Sequence, residues 1–264
     1  MHKDVIIVGA GISGIAAGYN MKKSCPNKSF SILEGRKSIG GTWDLFKYPG
    51  VRSDSDMHTL GFRFKPWIHD KSIADGPSIM EYLHETVNEN RLNDNILLNH
   101  IVDSANWNSK KSLWELKVKV NNDIKDMTCN FFFLCGGYYS YTKPHMPYFK
   151  NQENFEGQIV HPQFWDESLN YKNKKIAVIG SGATAITIVP AIAEQAQHVV
   201  MVQRSPTYVV SGPSEDVINK FLRKITKNKN QTSKTLDIKG RKVEIKIFFE
   251  GVAKFKFDEL CNRN

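Results

Sequence analysis

Paired cysteines and long apolar runs are what this sequence lacks. Its 264 residues contain four cysteines, and no two of them form a CxxC pair or a zinc-binding spacing: Cys25, Cys129, Cys135 and Cys261. This pattern excludes a disulfide-stabilised secreted framework and a cysteine zinc site, so we predict no metal site and a reduced, cytoplasmic chain. The apolar stretch 5–17 is too short to span a bilayer and ends without a cleavage pattern.

The basic charge is concentrated at one end of the chain. Of the net charge of +9, residues 215–264 contribute 13 Lys and Arg against 7 Asp and Glu, and the rest contributes 23 against 20. Residues 219–247 are weakly patterned, which favours a divergent, solvated tail. The tail contains no RNA-binding aromatic motif, which argues against nucleic acid as a partner, and peripheral membrane association stays open.

The first nucleotide-binding signal is a strand, a glycine turn, a helix and a second strand. Residues 4–8 (DVIIV) are typical of a strand buried on both faces, and the turn Gly9-Ala10-Gly11-Ile12-Ser13-Gly14 follows directly. The second strand, 29–33, ends at Glu34, 25 positions after Gly9. A carboxylate at that place accepts hydrogen bonds from the ribose hydroxyls of an adenosine, so the segment predicts an FAD or NAD site.

The same pattern returns 171 residues later. It comprises the strand 175–179, the turn Gly180-Ser181-Gly182-Ala183-Thr184-Ala185, the helix 186–195 and the strand 198–202. Here Arg204 lies 24 positions after Gly180. A guanidinium cannot accept from ribose hydroxyls, but it can bind a 2′-phosphate through two hydrogen bonds. The second site is therefore predicted to take NADP.

Two dinucleotide motifs predict an α/β fold with two Rossmann-like, three-layer ββα-type domains, the second inserted in the first and incomplete. The predicted parts are an FAD-binding domain (1–145), a linker (146–172), the start of an NADP-binding domain (173–213) and the tail (214–264). Further elements are predicted as a helix at 78–88 and strands at 113–120 and 129–134. The incomplete domain should leave a sheet edge and apolar surface exposed.

Two dinucleotides in one chain imply hydride transfer between a nicotinamide and a flavin. The enzyme could then be a disulfide reductase or an oxygen-using monooxygenase. Because a disulfide reductase needs a redox pair of cysteines, the cysteine spacing favours the monooxygenase.

Residues 155–166 (FEGQIVHPQFWD) match FxGxxxHxxxW[PD], the fingerprint of Baeyer–Villiger monooxygenases within the class B flavin monooxygenases. The segment 40–67 resembles one branch of that family, and similarity extends over about 4–213. The resemblance implies an FAD- and NADPH-dependent enzyme that uses O2, through a flavin C4a-peroxide, to oxidise a small ketone, sulfide, thioamide or amine.

Carried over residue by residue, the resemblance and the glycine motifs imply two sets of cofactor contacts. The implied FAD contacts are Gly9, Gly11, Ser13, Gly14, Glu34, Thr42, Trp43, Asp44, Leu45, Asp54 and Val102. The implied NADP contacts are Arg52, Ser53, Asp54, Gly180, Ser181, Gly182, Ala183, Thr184, Ala185, Ile186, Arg204 and Ser205.

Asp54 matches the family's aspartate that lies beside the flavin and positions an active-site arginine. His161 matches the fingerprint histidine, for which the resemblance implies a role in domain movement, although a hydrogen-bonded structural histidine is the favoured interpretation. Phe155 and Trp165 are predicted to be packing anchors, and Asp56 is either a loop cap or a site residue.

Members of the family are about twice this length. The stretch that supplies their catalytic arginine has no counterpart here, and Arg223, Arg241 and Arg263 lie in other contexts, so no catalytic arginine is identified. From about residue 220 the sequence is expected to leave the family pattern. We therefore expect an N-terminal half that keeps both nucleotide sites and lacks turnover by itself. The alternative is a non-catalytic nucleotide-binding remnant, or half of a split enzyme that pairs with a separately encoded C-terminal half.

Overall fold

A computed structural model of the chain describes residues 1–205, 207–210 and 215–216, together with the backbone of 235–238 and 241–244. The chain forms two compact units. The first consists of Met1–Asp54 and Ile73–Ser211, and the second of Ser55–Ser72 and Gly212–Asn264. The residues for which both nucleotide sites are predicted lie in the first unit.

The helices and strands follow one another in this order: β1 His2–Val8, α1 Ile12–Ser24, β2 Phe30–Leu33, α2 Thr42–Leu45, α3 Met57–Leu60, α4 Gly76–Glu89, β3 Ile96–Leu97, β4 His100–Asn108, β5 Leu113–Val120, β6 Asp123–Leu134, β7 Lys175–Ile179, α5 Ala183–Ala193, β8 His198–Val202, β9 Thr235–Ile238 and β10 Arg241–Glu244. Of these, α3, β9 and β10 belong to the second unit.

Six strands of the first unit form one mixed sheet in the order β3-β2-β1-β6-β5-β4. The strands β3, β2, β1 and β6 run parallel to one another, whereas β6, β5 and β4 form an antiparallel meander. All four residues of β2 are buried, as expected for a strand covered on both faces. The carboxyl ends of β1 and β2 meet at one edge, where ligands bind in folds of this kind.

The helix α4 shows how local sequence sets an element's boundary. Asp75 occupies its N-cap and accepts a hydrogen bond from the amide of Ser78 at 2.8 Å, and Pro77 stands in the first turn. Both features favour a helix start. Ile79 and Leu83, four residues apart, are buried, so one face of the helix joins the core.

The strands β7 and β8 pair in parallel as a two-stranded sheet, and α5 connects them. Ile179, Val200 and Val202 on these strands are 62%, 45% and 49% exposed. Within the part of the chain that the structure describes, this confirms the predicted exposed apolar surface and open sheet edge.

The structure confirms the α/β class and the predicted βα units, and it differs from the sequence predictions in several places. It contains α2, α3, β3 and β4, which were not predicted, and β6 begins at Asp123 instead of 129. The helix α5 begins at Ala183, three residues early, because the chain turns directly from Gly182 into the helix. In the weakly patterned segment, β9 and β10 pair as an antiparallel hairpin. The proposed domain boundaries stay a prediction, and the boundary at 213 and 214 lies outside the described residues.

Among the residues that the structure describes, none of the helices combines the length and the apolar composition needed to cross a bilayer.

Candidate functional site

The first glycine turn joins β1 to α1 and depends on its glycines in different ways. Gly9 has φ +97, and a Cβ added there would lie 2.5 Å from the carbonyl oxygen of Cys135. A Cβ at Gly14 would overlap the carbonyl oxygen of Gly9, so the helix packs directly on the strand end. A Cβ at Gly11 would meet nothing nearer than the Cα of Gly41 at 3.6 Å. Gly11 therefore packs beside Gly41, and because it has no side chain a diphosphate could approach the backbone of the turn closely.

The start of α1 provides donors for an anion. Gly11 is the N-cap, and no side chain caps the helix. The first N–H groups of a helix have no acceptor within it, and the helix dipole favours negative charge there. Ser13 is exposed in the first turn. These features fit the diphosphate of a dinucleotide.

Glu34, predicted to bind a ribose, is 1% exposed. Its Oε2 accepts from the amide of Ala10 at 2.8 Å, and its Oε1 accepts from the amide of Arg36 at 2.9 Å. A carboxylate has about four acceptor positions, so lone pairs remain for ribose hydroxyls. The carboxylate is thus held beside the glycine turn by backbone donors.

The predicted FAD contacts Thr42, Trp43, Asp44 and Leu45 form the short helix α2, all of them half-buried. The amide of Gly40 donates to the carbonyl oxygen of Ala10 at 2.9 Å, which places the segment against the first glycine turn. The structure therefore brings these residues and the first glycine turn together.

The segment around Val102 also lies beside the first site. The amide of His100 donates to the carbonyl oxygen of Glu34 at 2.8 Å, and a Cβ at Gly35 would lie 3.1 Å from Ile101. Val102 itself packs against the core beneath the sheet. Its side chain is therefore part of that core, and the contacts of this segment with the strand end come from the backbone of His100 and the side chain of Ile101.

Arg36 is a residue of this site that the sequence predictions missed. Its Nη2 lies 2.7 Å from Oδ2 of Asp44, and its Nη1 donates to the carbonyl oxygen of Gly41 at 3.2 Å. The ring of Tyr141 lies 5.3 Å from the guanidinium carbon. The only sequence signal for Arg36 was its position two residues after Glu34. A basic residue there is usually exposed to solvent, so the position alone did not indicate a site residue.

The second glycine turn joins β7 to α5 and is more open than the first. Gly180 has φ +124, and a Cβ added at Gly180 or Gly182 would meet nothing within 4 Å. Gly182 is the N-cap, and no side chain caps α5. Ala185 is buried, in agreement with the need for a small residue at the third position. This turn also fits a diphosphate.

Arg204 lies two residues after β8 and is exposed. Next to it, the hydroxyl of Ser181 donates to the carbonyl oxygen of Ser205 at 3.1 Å, and Thr207 donates to Ser181 at 2.9 Å. These bonds tie the segment that follows β8 to the second glycine turn. An exposed guanidinium beside such a turn fits a 2′-phosphate.

A shared apolar cluster packs the segment after α2 against α5. Its buried members are Phe46, Tyr48, Ile188 and Ile192, with Leu45, Val51, Trp165, Tyr171, Ile176, Val178 and Val199 packed around them. A Cβ at Gly50, which has φ +77, would lie 3.0 Å from both Ala191 and the carbonyl oxygen of Thr187. The two predicted nucleotide sites are therefore connected through one core.

Tyr48 and Asp54 add a polar contact to this junction. The pKa of Tyr48 is raised, and burial is the main cause. A hydrogen bond from Thr184 lowers the pKa by a smaller amount, and the negative charge of Asp54 raises it further. A hydrogen bond with Tyr138, with burial and the same aspartate, raises the pKa of Tyr139 to about 12. Asp54 is exposed and lies near both phenols, which remain neutral at physiological pH.

The predicted NADP contacts Arg52, Ser53 and Asp54 are the last three residues of the segment Met1–Asp54 in the first unit. Arg52 pairs with Asp75 in an isolated antiparallel bridge. Ser53 is 1% exposed, and its hydroxyl accepts from the amide of Ala74. Ser53 therefore has a structural role in this structure, whereas Arg52 and Asp54 are exposed.

The fingerprint segment combines structural contacts with an exposed aromatic ring. His161 accepts from the amide of Gln163 at 3.2 Å through Nδ1 and caps a short 3₁₀ helix, as the favoured structural interpretation expects. Trp165 packs in the shared apolar cluster and contacts Tyr171, which confirms it as a packing anchor. Phe155 is 62% exposed and lies over Gly157, so the prediction that it anchors the core is wrong for this structure.

A groove with a cavity volume of about 350 Å³ runs beside the fingerprint and is lined mainly by apolar side chains, Met146, Ile159, Val160, Phe164 and Leu169 among them.

In the second unit, Asp56 accepts from the amide of Thr59 at 2.9 Å and caps α3, so it is the loop cap of the two alternatives. Of the three arginines that were not assigned a role, Arg241 starts β10, and Arg223 and Arg263 lie outside the described residues.

The described cysteines do not form a redox pair. Cys25, Cys129 and Cys135 are free thiols, and burial raises the pKa of both Cys129 and Cys135. Raised values keep these two groups as unreactive thiols.

Two glycine turns at the ends of parallel strands, each followed by a helix, are the arrangement typical of proteins that bind dinucleotides. A model of the pyridine nucleotide-disulphide oxidoreductase family matches residues 6–259, and the chain belongs to that family. This match extends past residue 220, whereas the curated monooxygenase relatives cover 84% of the chain.

The curated relatives are flavin monooxygenases, which confirms the sequence resemblance. The chain is 52% identical over 228 residues to the FAD-containing monooxygenase EthA of Mycolicibacterium smegmatis, a match that covers 84% of the chain and 46% of the relative. It is also 52% identical over 223 residues to the probable FAD-binding monooxygenase AlmA of an Acinetobacter species, with 84% and 45% covered. The chain thus spans a little under half the length of these relatives.

Solved structures with the same fold are Baeyer–Villiger-type monooxygenases. An oxidised steroid monooxygenase bound to NADP matches with a TM-score of 0.72 and 27% identity over 85% of the chain and 42% of the neighbour. OTEMO in complex with FAD and NADP matches with a TM-score of 0.67 and 26% identity, over 78% and 39%.

Proposed function

We propose that the chain binds FAD at the first glycine turn and NADP(H) at the second, and that it belongs to a flavin-dependent monooxygenase. The observation that supports this most strongly is the pair of turns with unlike residues after their second strands. Glu34 is a buried acceptor after β2, and Arg204 is an exposed cation after β8. An acceptor suits ribose hydroxyls and a guanidinium suits a 2′-phosphate, so the two turns select different dinucleotides.

Each set of residues has a defined task in this proposal. The N-termini of α1 and α5 bind the two diphosphates, Glu34 orients the adenosine of FAD, and Arg204 distinguishes NADP from NAD. The shared apolar cluster keeps the two turns at a fixed separation, which hydride transfer between bound cofactors requires. When bound, FAD supplies the redox chemistry by which electrons from NADPH reach molecular oxygen.

The substrate class follows from the relatives and not from a pocket in this chain. One neighbour is a steroid monooxygenase, and another is cyclohexanone monooxygenase from a Rhodococcus species, which matches with 25% identity and a TM-score of 0.68 over 80% of the chain and 39% of the neighbour. Cyclohexanone is a ketone. We therefore take a small ketone as the first substrate to test, followed by a sulfide, a thioamide and an amine, with O2 as the second substrate.

The test uses the 264-residue chain. Titration with FAD should give one bound flavin per chain with a perturbed visible spectrum, and titration with NADP⁺ should saturate a second site. NADPH oxidation is then followed with and without cyclohexanone and a methyl aryl sulfide. Consumption of NADPH that rises with substrate, together with an oxygenated product, supports a complete monooxygenase activity. A chain that binds neither nucleotide contradicts the proposal.

A second candidate function is nucleotide binding without turnover, and the span of a little under half of the relatives' length favours it. In that case FAD and NADP⁺ bind, but NADPH oxidation stays at the rate of free flavin. Recovery of turnover after mixing with a polypeptide that corresponds to the other half of the relatives identifies a split enzyme.

A further inference from the structure

The side chain of Arg36 makes several polar contacts near the first glycine turn. Its guanidinium forms an ion pair with Asp44 at 2.7 Å and donates to two backbone carbonyl oxygens, those of Gly41 at 3.2 Å and Asp44 at 3.3 Å. Both partners of the ion pair are half-buried, with side chains 24% and 17% exposed. A planar guanidinium presents five N–H donors in a rigid fork and so holds several acceptors in a fixed geometry, whereas the three donors of a lysine ammonium rotate freely.

The two backbone targets of Arg36 lie where the glycine pair Gly40-Gly41 meets the first glycine turn. Both glycines have positive φ, +110 and +55. A Cβ added at Gly41 would lie 3.1 Å from the Cα of Gly11, and the amide of Gly40 donates to the carbonyl oxygen of Ala10. The backbone of Gly41 therefore packs directly on Gly11 at the N-terminus of α1.

Three further contacts fix Asp44 and the guanidinium in place. Ser38 donates its hydroxyl hydrogen to Oδ2 of Asp44, and Lys47 lies 3.7 Å from Oδ1. The ring of Tyr141 lies over the guanidinium at 5.3 Å, with its hydroxyl 3.9 Å from where a Cβ of Gly41 would be. Burial raises the pKa of Tyr141, and the charge of Glu34 raises it further, so its hydroxyl stays neutral.

The charges beside the first glycine turn favour a cation there. Glu34 and Asp44 place two carboxylates near the N-terminus of α1, which should receive a doubly negative diphosphate, and like charges at short range oppose binding. Arg36 contacts Asp44 directly, and its own amide donates to Glu34. Arg36 is thus bonded to both acidic side chains.

We propose that Arg36 is a positioning residue for the flavin dinucleotide. By holding Gly41 and Asp44, it keeps the backbone of Gly41 packed on Gly11 and so fixes the conformation of the glycine turn that receives the diphosphate. Arg36 acts through the backbone it holds and touches no reacting atom. The inference rests on the proposed function, because it requires that the first turn binds FAD.

The test compares two substitutions that each remove one positive charge from neighbouring residues. Arg36→Gln removes the ion pair and the bonds to the backbone, whereas Lys37→Gln changes an exposed side chain next to it. FAD and ADP dissociation constants are measured for the apoprotein by fluorescence and calorimetry. For Arg36→Gln both should rise about tenfold or more, as expected for losing hydrogen bonds from a charged group. Arg36→Lys should give an intermediate rise, and Lys37→Gln less than about a twofold one.

Binding of NADP⁺ to the same samples separates positioning from general loss of structure. Affinity at the second turn should stay within about twofold of the wild type in every variant. The double variant Arg36→Gln/Asp44→Asn should bind FAD about as well as either single variant, because the two residues act as one unit. If one of the variants folds poorly, FAD and NADP⁺ binding by the remaining variants still tests the inference.

Three results would overturn the inference. One is an FAD affinity of Arg36→Gln within twofold of wild type, another is an equal loss of NADP⁺ and FAD binding, and the third is strictly additive effects in the double variant. In each of them wild-type protein still binds FAD, so the proposed function is unaffected. A wild-type chain that does not bind FAD overturns both.

Discussion

The carboxylate of Glu34 and the backbone amide of Ala10 form a hydrogen bond of 2.8 Å that joins the end of β2 to the glycine turn after β1. The bond is buried and connects residues 24 positions apart. It means that the residue predicted to select the adenosine ribose also holds the turn that is predicted to bind the diphosphate.

Replacing Glu34 should therefore affect stability and cofactor binding together. In Glu34→Gln one carboxylate oxygen becomes an NH2 group that faces a backbone N–H, at a cost of about 1–3 kcal/mol. We expect a lower midpoint in urea unfolding and FAD binding weakened about tenfold. The matched control is Glu167→Gln at an exposed site. Wild-type stability in Glu34→Gln would show that the buried bond contributes nothing.

The junction between the two predicted sites can be tested at two glycines with similar backbone angles. Gly50 has φ +77 and Gly137 has φ +70, but a Cβ at Gly50 would lie 3.0 Å from Ala191 and a Cβ at Gly137 would meet nothing within 4 Å. Gly137→Ala should cost about 1 kcal/mol, the strain of a positive φ alone. Gly50→Ala should cost about 1–3 kcal/mol more through overpacking. Thermal and urea unfolding measure both, and equal losses would contradict the contact.

Discrimination between NADP and NAD should depend on Arg204. Arg204→Ala should raise the dissociation constant of NADP⁺ by roughly 10- to 100-fold, the ratio for one or two charge-assisted hydrogen bonds, and leave that of NAD⁺ within about twofold. Lys175→Ala removes an exposed cation at the start of β7, at the end of the strand that is away from the second glycine turn. It should change neither the NADP⁺ nor the NAD⁺ dissociation constant. Calorimetric titration measures all four constants. Parallel losses for the two nucleotides would rule out a 2′-phosphate contact.

Acid stability should depend on Asp4 at the start of the sheet. Its carboxylate accepts from the hydroxyl and the amide of Ser29, at 2.6 and 2.7 Å, and these bonds lower its pKa. Because the pKa is lower in the folded than in the unfolded chain, the stabilisation is present above about pH 4 and is lost as the pH falls below it. Asp4→Asn should flatten the fall of the melting temperature between about pH 5 and 3, and an unchanged slope in this variant would contradict the prediction.

The glycine turns and the residues after the second strands could be predicted because their requirements are local. Gly9 and Gly180 adopt positive φ, and Gly14 lies too close to the backbone of Gly9 for any side chain. These constraints arise within a few residues of each motif, so spacing alone was enough to find them. Glu34 was also found by spacing, although its burial and its bond to Ala10 were not predicted.

Other features depend on residues far apart in the chain. Phe155 was expected to pack and is exposed, whereas Trp165 from the same fingerprint lies in the cluster with Phe46. The pattern of one segment does not say which partners the fold brings to it. Arg36 was missed for the same reason, since its importance comes from Gly41, Asp44 and Tyr141.

The sequence by itself determined that this chain has two dinucleotide turns and that an acid follows one and a cation follows the other. It also identified the flavin monooxygenase resemblance that the relatives confirm. Only the tertiary structure decided that the segment after α2 packs on α5 and that Arg36 holds Gly41 beside Gly11. Backbone conformation is set by nearby residues, whereas packing and charge pairing depend on which distant segments meet.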